Sequence, residues 1–143
     1  MIYLLDTNVF REVGKSSQQQ HVNVGTWLDS VDDSELCISA LTVRETYKGI
    51  ENLRKKKPQQ ATELAHRVRV ILDAFAGRIL PIDRAVAQRW GEMLADNGKH
   101  VDDTGITATA SVHQLILVTR NTTDFSGRGV TLLDPYKYPP EII

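Results

Sequence analysis

The chain has 143 residues, about one domain's worth, with 41% hydrophobic and 24% charged residues. That balance suits a globular fold burying roughly two-thirds of its unfolded surface and excludes a disordered chain. Lys and Arg number 17 against 18 Asp and Glu, a net charge of −1, which excludes a histone-like or ribosomal basic protein and an acidic solvating tail. The single cysteine, Cys37, excludes an intrachain disulfide and a zinc site of Cys ligands. Within Leu36-Cys37-Ile38 it reads as a small core residue in a reducing compartment. The apolar run before Asp6 is too short for a signal peptide, and no window approaches the ~18 apolar residues of a membrane span. The expected location is cytoplasmic, with no membrane partner.

Along the chain, Ile2 to Leu5 predicts a short buried strand, after which Asp6-Thr7-Asn8 opens a helix. The polar stretch Gly14 to Asn23 suits a mobile loop. Val24 to Val31 predicts a short helix around Trp27, Glu35 to Ile38 a second strand, and Ala40 to Leu53 a helix. Arg54-Lys55-Lys56-Lys57-Pro58 is a basic stop, read as a solvated helix end. From Gln59 to Ala76, Leu64, Ala65, Val68, Ile71, Leu72 and Phe75 recur at helical spacing, with Gly77 as the C-cap.

Arg78 to Ile82 predicts a short strand at an edge or strand end because of Pro81. Asp83 caps a helix from Arg84 to Asn97. Asp103 starts a helix to Gln114 whose small residues let it lie close to a sheet. Leu115 to Thr119 is the clearest buried strand, Val130 to Leu133 the last one, and the proline-bearing tail from Asp134 to Ile143 is extended. Short apolar strands alternating with helices define an α/β fold with a mostly parallel sheet. Ligands of such sheets bind beyond the carboxyl ends of the strands.

That edge collects acids. Asp6 ends the first strand, Asp103 precedes the LILVT strand, Asp124 follows it, and Glu45 lies early on the helix after the second strand. Singly, each Asp suits a helix cap or turn, and Glu45, three residues after Thr42, suits a capping box or a solvated face. Together, four converging carboxylates repel one another and raise each other's pKa. Arg120 could pair with one of them, but no Lys follows LILVT. A hard divalent ion, Mg²⁺ or Mn²⁺, is the natural holder of such a cluster, and its chemistry is phosphodiester hydrolysis. The histidines form no HxH or HExxH pattern. His100 could be a ligand but reads as a surface or loop histidine.

The ordered pieces Tyr3-Leu4-Leu5-Asp6-Thr7-Asn8-Val9, Ile38-Ser39-Ala40-Leu41-Thr42-Val43-Arg44-Glu45, Arg78-Ile79-Leu80-Pro81-Ile82-Asp83, Asp103 with Ile106-Thr107-Ala108-Thr109-Ala110, and Leu117-Val118-Thr119-Arg120-Asn121 before Asp124-Phe125 span nearly the whole chain. As an ordered set they resemble PIN-domain ribonucleases, and among them the VapC-type toxins of the FitB-like branch. Gly105 and Thr107 depart from the usual residues, and Asp102 beside Asp103 offers a slip by one that the spacing to Ile106 disfavours.

The resemblance implies a single PIN-like domain over residues 1–143, with a core to 133 and an extended tail over 134–143. It implies a sheet of about five strands, mainly parallel and flanked by helices, and a metal-dependent endoribonuclease using Mg²⁺, with Mn²⁺ substituting. Asp6 and Asp103 fall on the direct metal ligands, and Glu45 on an acid acting mostly through water on the metal. The fourth site position falls on Asp124, with Asn121 as the alternative polar group. Asn8 and Thr119 would support the ligands by hydrogen bonds. The implied partners are RNA, a second copy of the chain, and a VapB- or FitA-like antitoxin that inserts a cation into the site and carries the complex to operator DNA. Arg11, Lys15, Arg44 and Lys48 are candidate RNA contacts, being close in sequence to Asp6 and Glu45, and the Arg54–Lys57 run could add to them if it is more than a solvated helix end.

Two rivals fail on the residues. A receiver domain wants paired acids after its first strand and a Lys near the last ones. A phosphatase of the haloacid dehalogenase type wants a second Asp where Asn8 stands. A catalytically silent PIN domain that binds antitoxin or RNA without turnover is the alternative to the nuclease.

Overall fold

Each central strand is a short apolar run whose side chains alternate between two buried faces. A computed structural model describes residues 1–143. Its strands are β1 (Tyr3–Leu5), β2 (Leu36–Ser39), β3 (Ile79–Leu80), β4 (Ile116–Val118), β5 (Leu132–Asp134) and β6 (Glu141–Ile142). Its helices are α1 (Thr7–Val13), α2 (Val22–Ser30), α3 (Ala40–Arg54), α4 (Pro58–Ala74), α5 (Arg84–Asp96), α6 (Val101–His113) and α7 (Thr122–Phe125). On one sheet face Leu5, Ile38, Val118 and Leu133 join Phe10, Trp27, Val68 and Phe75 of the flanking segments. On the other, Leu4, Cys37, Leu117 and Leu132 meet Ile106, Ala110 and Phe125. The period of two along each strand produces both layers. Cys37 is fully buried, as its apolar run predicts, and burial pushes its thiol up to about 11.

The sheet order is β3-β2-β1-β4-β5-β6. The first five strands are parallel, with β1 paired to β2 on one side and β4 on the other. The strand order therefore reverses between β1 and β4, and the crevice beyond their carboxyl ends is the switch point of the sheet. As Pro81 suggests, β3 is an edge strand. No helix is long and apolar enough to cross a membrane.

The sheet has six strands rather than about five. The tail expected to be only extended turns back, with Asp134 Oδ1 accepting from the Tyr136 N–H at 2.9 Å, and pairs β6 antiparallel to β5. It thereby covers an edge that would otherwise expose unpaired amides.

Three other local expectations change. Gly77 does not cap α4 in a left-handed conformation. The helix ends at Phe75, and Arg78 serves instead, donating to the Ala74 carbonyl at 2.9 Å with its guanidinium 4.5 Å over the Phe75 ring. The 14–23 stretch is tied to α1 rather than loose: Glu12 accepts from the His21 N–H at 2.6 Å, and its carbonyl accepts from Gln20 Nε2 at 2.9 Å. Finally, α6 begins at Val101, two residues before Asp103, after His100 in the left-handed region at φ 53°.

The small-residue stretch of α6 serves a close approach to helices. A Cβ added at Gly105 would lie 2.5 Å from Leu41 Cδ1 on α3 and 2.8 Å from the Trp90 ring on α5. Gly105→Ala is therefore expected to destabilise the fold by about 1–3 kcal/mol, as overpacking does. Urea unfolding would read this as a lower midpoint at unchanged slope.

Candidate functional site

Asp6 leaves β1 at the switch point and is only 3% exposed. Its N–H donates to the Val118 carbonyl at 2.9 Å, locking the end of β1 to β4. Its side chain caps α1, with Oδ1 accepting from the Thr7 N–H at 2.7 Å. Oδ2 accepts from the Thr119 hydroxyl at 2.9 Å, from the residue that follows β4. The Asp6 carboxyl is raised to about 6: burial is the main cause, Thr119 and Thr7 pull it back, and the charges of Asp103 and Glu45 push it further up.

Glu45 reaches the same place from α3. It forms no capping box, because Ser39 rather than Thr42 is the N-cap of α3. Its Oε2 instead accepts from the Thr7 hydroxyl at 2.6 Å. Thr7 thus bridges two acids, its N–H on Asp6 and its hydroxyl on Glu45. In the sequence it was visible only as the middle of Asp6-Thr7-Asn8, because the link to Glu45 spans 38 positions.

Asp103 sits in the first turn of α6, and its carboxyl is raised by burial and then by the charges of Glu45 and Asp124. Its neighbour Asp102 turns aside to an ion pair with Arg44 at 2.6 Å. Asp124, in α7, comes from the far side. One nitrogen of His100 and one oxygen each of Asp103 and Asp124 lie within 4.8 Å of one another. His100 is exposed, as expected of a loop histidine, but its ring lies beside Asp103 and Asp124, a placement that spacing did not reveal. No Lys or Arg forms an ion pair with Asp6, Glu45, Asp103 or Asp124.

The other named residues divide. Thr119 holds Asp6 and also accepts from the Asn121 N–H at 3.0 Å, so Asn121 touches the site through its backbone. No hydrogen bond joins the Asn8 side chain to Asp6, while its carbonyl accepts from Tyr136 Oη at 3.3 Å. Arg11 and Lys15 line a cleft of about 380 Å³ among α1, α3 and α4 that none of the four acids lines. Lys15 is paired with Glu12, Arg44 with Asp102, and Lys48 is exposed on α3. The 54–57 run ends α3 roughly 14 Å along the helix from Glu45. Arg120 pairs with no acid. Its guanidinium lies 4.5 Å over the Tyr136 ring, beside the residue that holds Asp6.

The donor set at the inner end of the pocket is carboxylate oxygen alone, partly desolvated and without a protein cation to balance it. Those properties fit a hard divalent ion. Asp6, Asp103 and, at one remove, Glu45 are the candidate holders at that end, close enough for their charges to be felt, while the tightest grouping of ligand atoms is that of His100, Asp103 and Asp124.

An α/β domain with carboxylates gathered at a parallel-sheet switch point defines the class, and comparison with known proteins agrees with it. The chain matches the PIN domain family over residues 3–127 and belongs to it. It is similar to Toxin FitB of Neisseria gonorrhoeae, 36% identical over 139 residues that cover 93% of this chain and 97% of that one. VapC ribonuclease Y4jK of Sinorhizobium fredii is 31% identical over 94% of this chain and 97% of its own. Among solved structures, FitAcB of N. gonorrhoeae superposes with a TM-score of 0.82 at 35% identity, covering 94% of this chain and 99% of that one. A toxin–antitoxin complex from Klebsiella pneumoniae gives 0.69 at 26% identity, over 94% and 98%.

The raised Asp6 carboxyl makes a stability prediction. A carboxyl with a higher pKa folded than unfolded favours the fold while protonated. That contribution is present below about 3.8 and is lost as pH rises through about 6. Asp6→Asn removes the charge, and its amide can donate to the Thr119 hydroxyl. In metal-free protein near neutral pH the variant is expected to be more stable than wild type by up to about 3 kcal/mol, the difference shrinking toward zero by about pH 4. Denaturant unfolding at the two pH values checks this.

Proposed function

We propose that the chain is a divalent-metal-dependent endoribonuclease and the toxin of a VapBC-type toxin–antitoxin pair, working in the cytoplasm. The observation that carries this reading is Asp6, a buried carboxylate with a raised pKa, placed at the switch point beside Asp103 and Glu45 with no protein cation to balance it. Toxin FitB and a VapC ribonuclease as relatives support it.

Asp6 and Asp103 would hold Mg²⁺ or Mn²⁺, and such an ion supplies Lewis acidity toward a phosphoryl oxygen and lowers the pKa of water. Thr7 and Thr119 fix the Asp6 oxygens, so little reorganisation is needed at the moment of reaction. Glu45 is bound to Thr7 through Oε2, which leaves Oε1 to orient the attacking water. That water's oxygen bonds to phosphorus as the ester P–O bond breaks, its proton passing to Glu45 and the leaving oxygen taking a proton from solvent, while Asp124 lies on the outer side. Arg120, held over Tyr136 and free of carboxylates, is the cation placed to meet the RNA backbone.

An acidic pocket that draws a metal also draws a guanidinium, so the proposed inhibitor is a small antitoxin that fills it with an Arg. The solved relatives include FitAB bound to an IR36 DNA fragment, 33% identical with a TM-score of 0.80. A complex that carries this chain to operator DNA follows the same plan.

Purified protein, freed of any antitoxin, tests the reading on pooled cellular RNA with and without Mn²⁺. The expected result is Mn²⁺-dependent cutting that falls at least about a hundredfold in Asp6→Asn, the scale of losing a group that acts in the transition state. No cutting with any divalent ion would overturn the nuclease and leave a silent binding module. In the cleavage-dead background, Arg120→Ala is expected to weaken RNA binding and lower the salt slope by about one. Filter binding across a salt series measures both.

A further inference from the structure

We infer that His100, Asp103 and Asp124 form a nitrogen-containing subsite for a first-row transition-metal dication at the outer end of the acidic pocket. The inference rests on the pocket being a divalent-ion site and not on RNA being cut. One His nitrogen and one oxygen from each carboxylate already lie within 4.8 Å of one another, and a small closure brings three such atoms onto one ion. The donors come from separate elements: the residue before α6, the first turn of α6, and α7. Asp103 is shared with the Asp6 and Glu45 end, whose charges it feels.

The backbone that carries the imidazole is held in place. The His100 carbonyl accepts from both the Thr104 N–H and the Thr104 hydroxyl, each at 2.8 Å. Arg128 reaches across from the segment after α7. It donates to the Met93 carbonyl at 2.6 Å, the Asn97 carbonyl at 3.0 Å and the Thr104 hydroxyl at 3.3 Å. Trp90 Nε1 donates to the Val101 carbonyl at 2.9 Å. A loop backbone fixed at these points limits where its histidine can reach, which favours a ligand role. No Lys or Arg pairs with Asp103 or Asp124, and the one basic group on Asp124 is His100 itself, with Nε2 3.9 Å from Oδ1.

Chemistry selects the ion. Carboxylate and water suffice for Mg²⁺, whereas an added imidazole favours a first-row transition dication over Mg²⁺, least strongly for Mn²⁺ and more so along the series. His100 therefore tilts the pocket toward Mn²⁺ over Mg²⁺.

Mn²⁺ alone, added to the metal-free full chain, tests this by pulsed electron paramagnetic resonance. Bound Mn²⁺ is expected to show ¹⁴N coupling that disappears in His100→Gln, with an Mn²⁺ affinity at least about tenfold lower in the variant and a narrower Mn²⁺ over Mg²⁺ preference. Asp124→Asn is expected to weaken the coupled population, and circular dichroism checks that both variants fold. Mn²⁺ bound without ¹⁴N coupling, or coupling that survives His100→Gln, overturns the subsite and leaves the oxygen-only site standing. No Mn²⁺ binding at all overturns both.

Discussion

A carboxylate with almost no access to water sits at the centre of this molecule, and the arrangement around it follows from that burial. Asp6 ends the middle strand of the parallel sheet, where the strand order reverses, so backbone from β1 and β4 converges on it from two sides. Desolvation raises its pKa to about 6, and Asp103 and Glu45 add repulsion. Such a cluster costs stability in the bare protein. A dication bound there would turn the same geometry from a cost into a binding site, so stability and the proposed function would pull against each other.

Two threonines make the arrangement durable. Thr7 donates its N–H to Asp6 and its hydroxyl to Glu45, and Thr119 donates its hydroxyl to the other Asp6 oxygen. Both are buried, and no buried side-chain polar atom in the protein lacks a partner. The acids are thus held by neutral donors. Neutral donors orient a carboxylate while leaving its charge for an ion, whereas a lysine or arginine would have neutralised it. The basic groups of the neighbouring segments leave those acids uncompensated: Arg44 pairs with Asp102, and Arg120 lies over the Tyr136 ring.

Much of this was legible in the sequence, for identifiable reasons. Strands buried on both faces appear as short apolar runs, and β1, β2 and β4 were read from Tyr3-Leu4-Leu5, Leu36-Cys37-Ile38 and Leu115-Ile116-Leu117-Val118. Parallel order then places the strand ends together, which points to Asp6, Glu45, Asp103 and Asp124 at one edge. What escaped depends on contacts between distant positions or on backbone states that residue type does not dictate. The Thr42–Glu45 spacing mimics a capping box, but Ser39 takes the cap and frees Glu45 for Thr7. His100 adopts a left-handed φ without being glycine, and so starts α6 earlier than the acid pattern suggests. The turn that returns β6 onto β5 lies in a proline-rich tail, where composition says only that the backbone is extended.

The most direct test of a carboxylate cluster built for a dication is thermal unfolding of wild type and Asp103→Asn across a Mn²⁺ series. A ligand that binds only the folded state raises its melting temperature, and does so more at a given concentration the tighter it binds. The wild type is expected to gain progressively more than the variant as Mn²⁺ rises, since Asp103 links the inner acids to the outer ones. Equal gains in the two proteins, or none in either, would contradict the account.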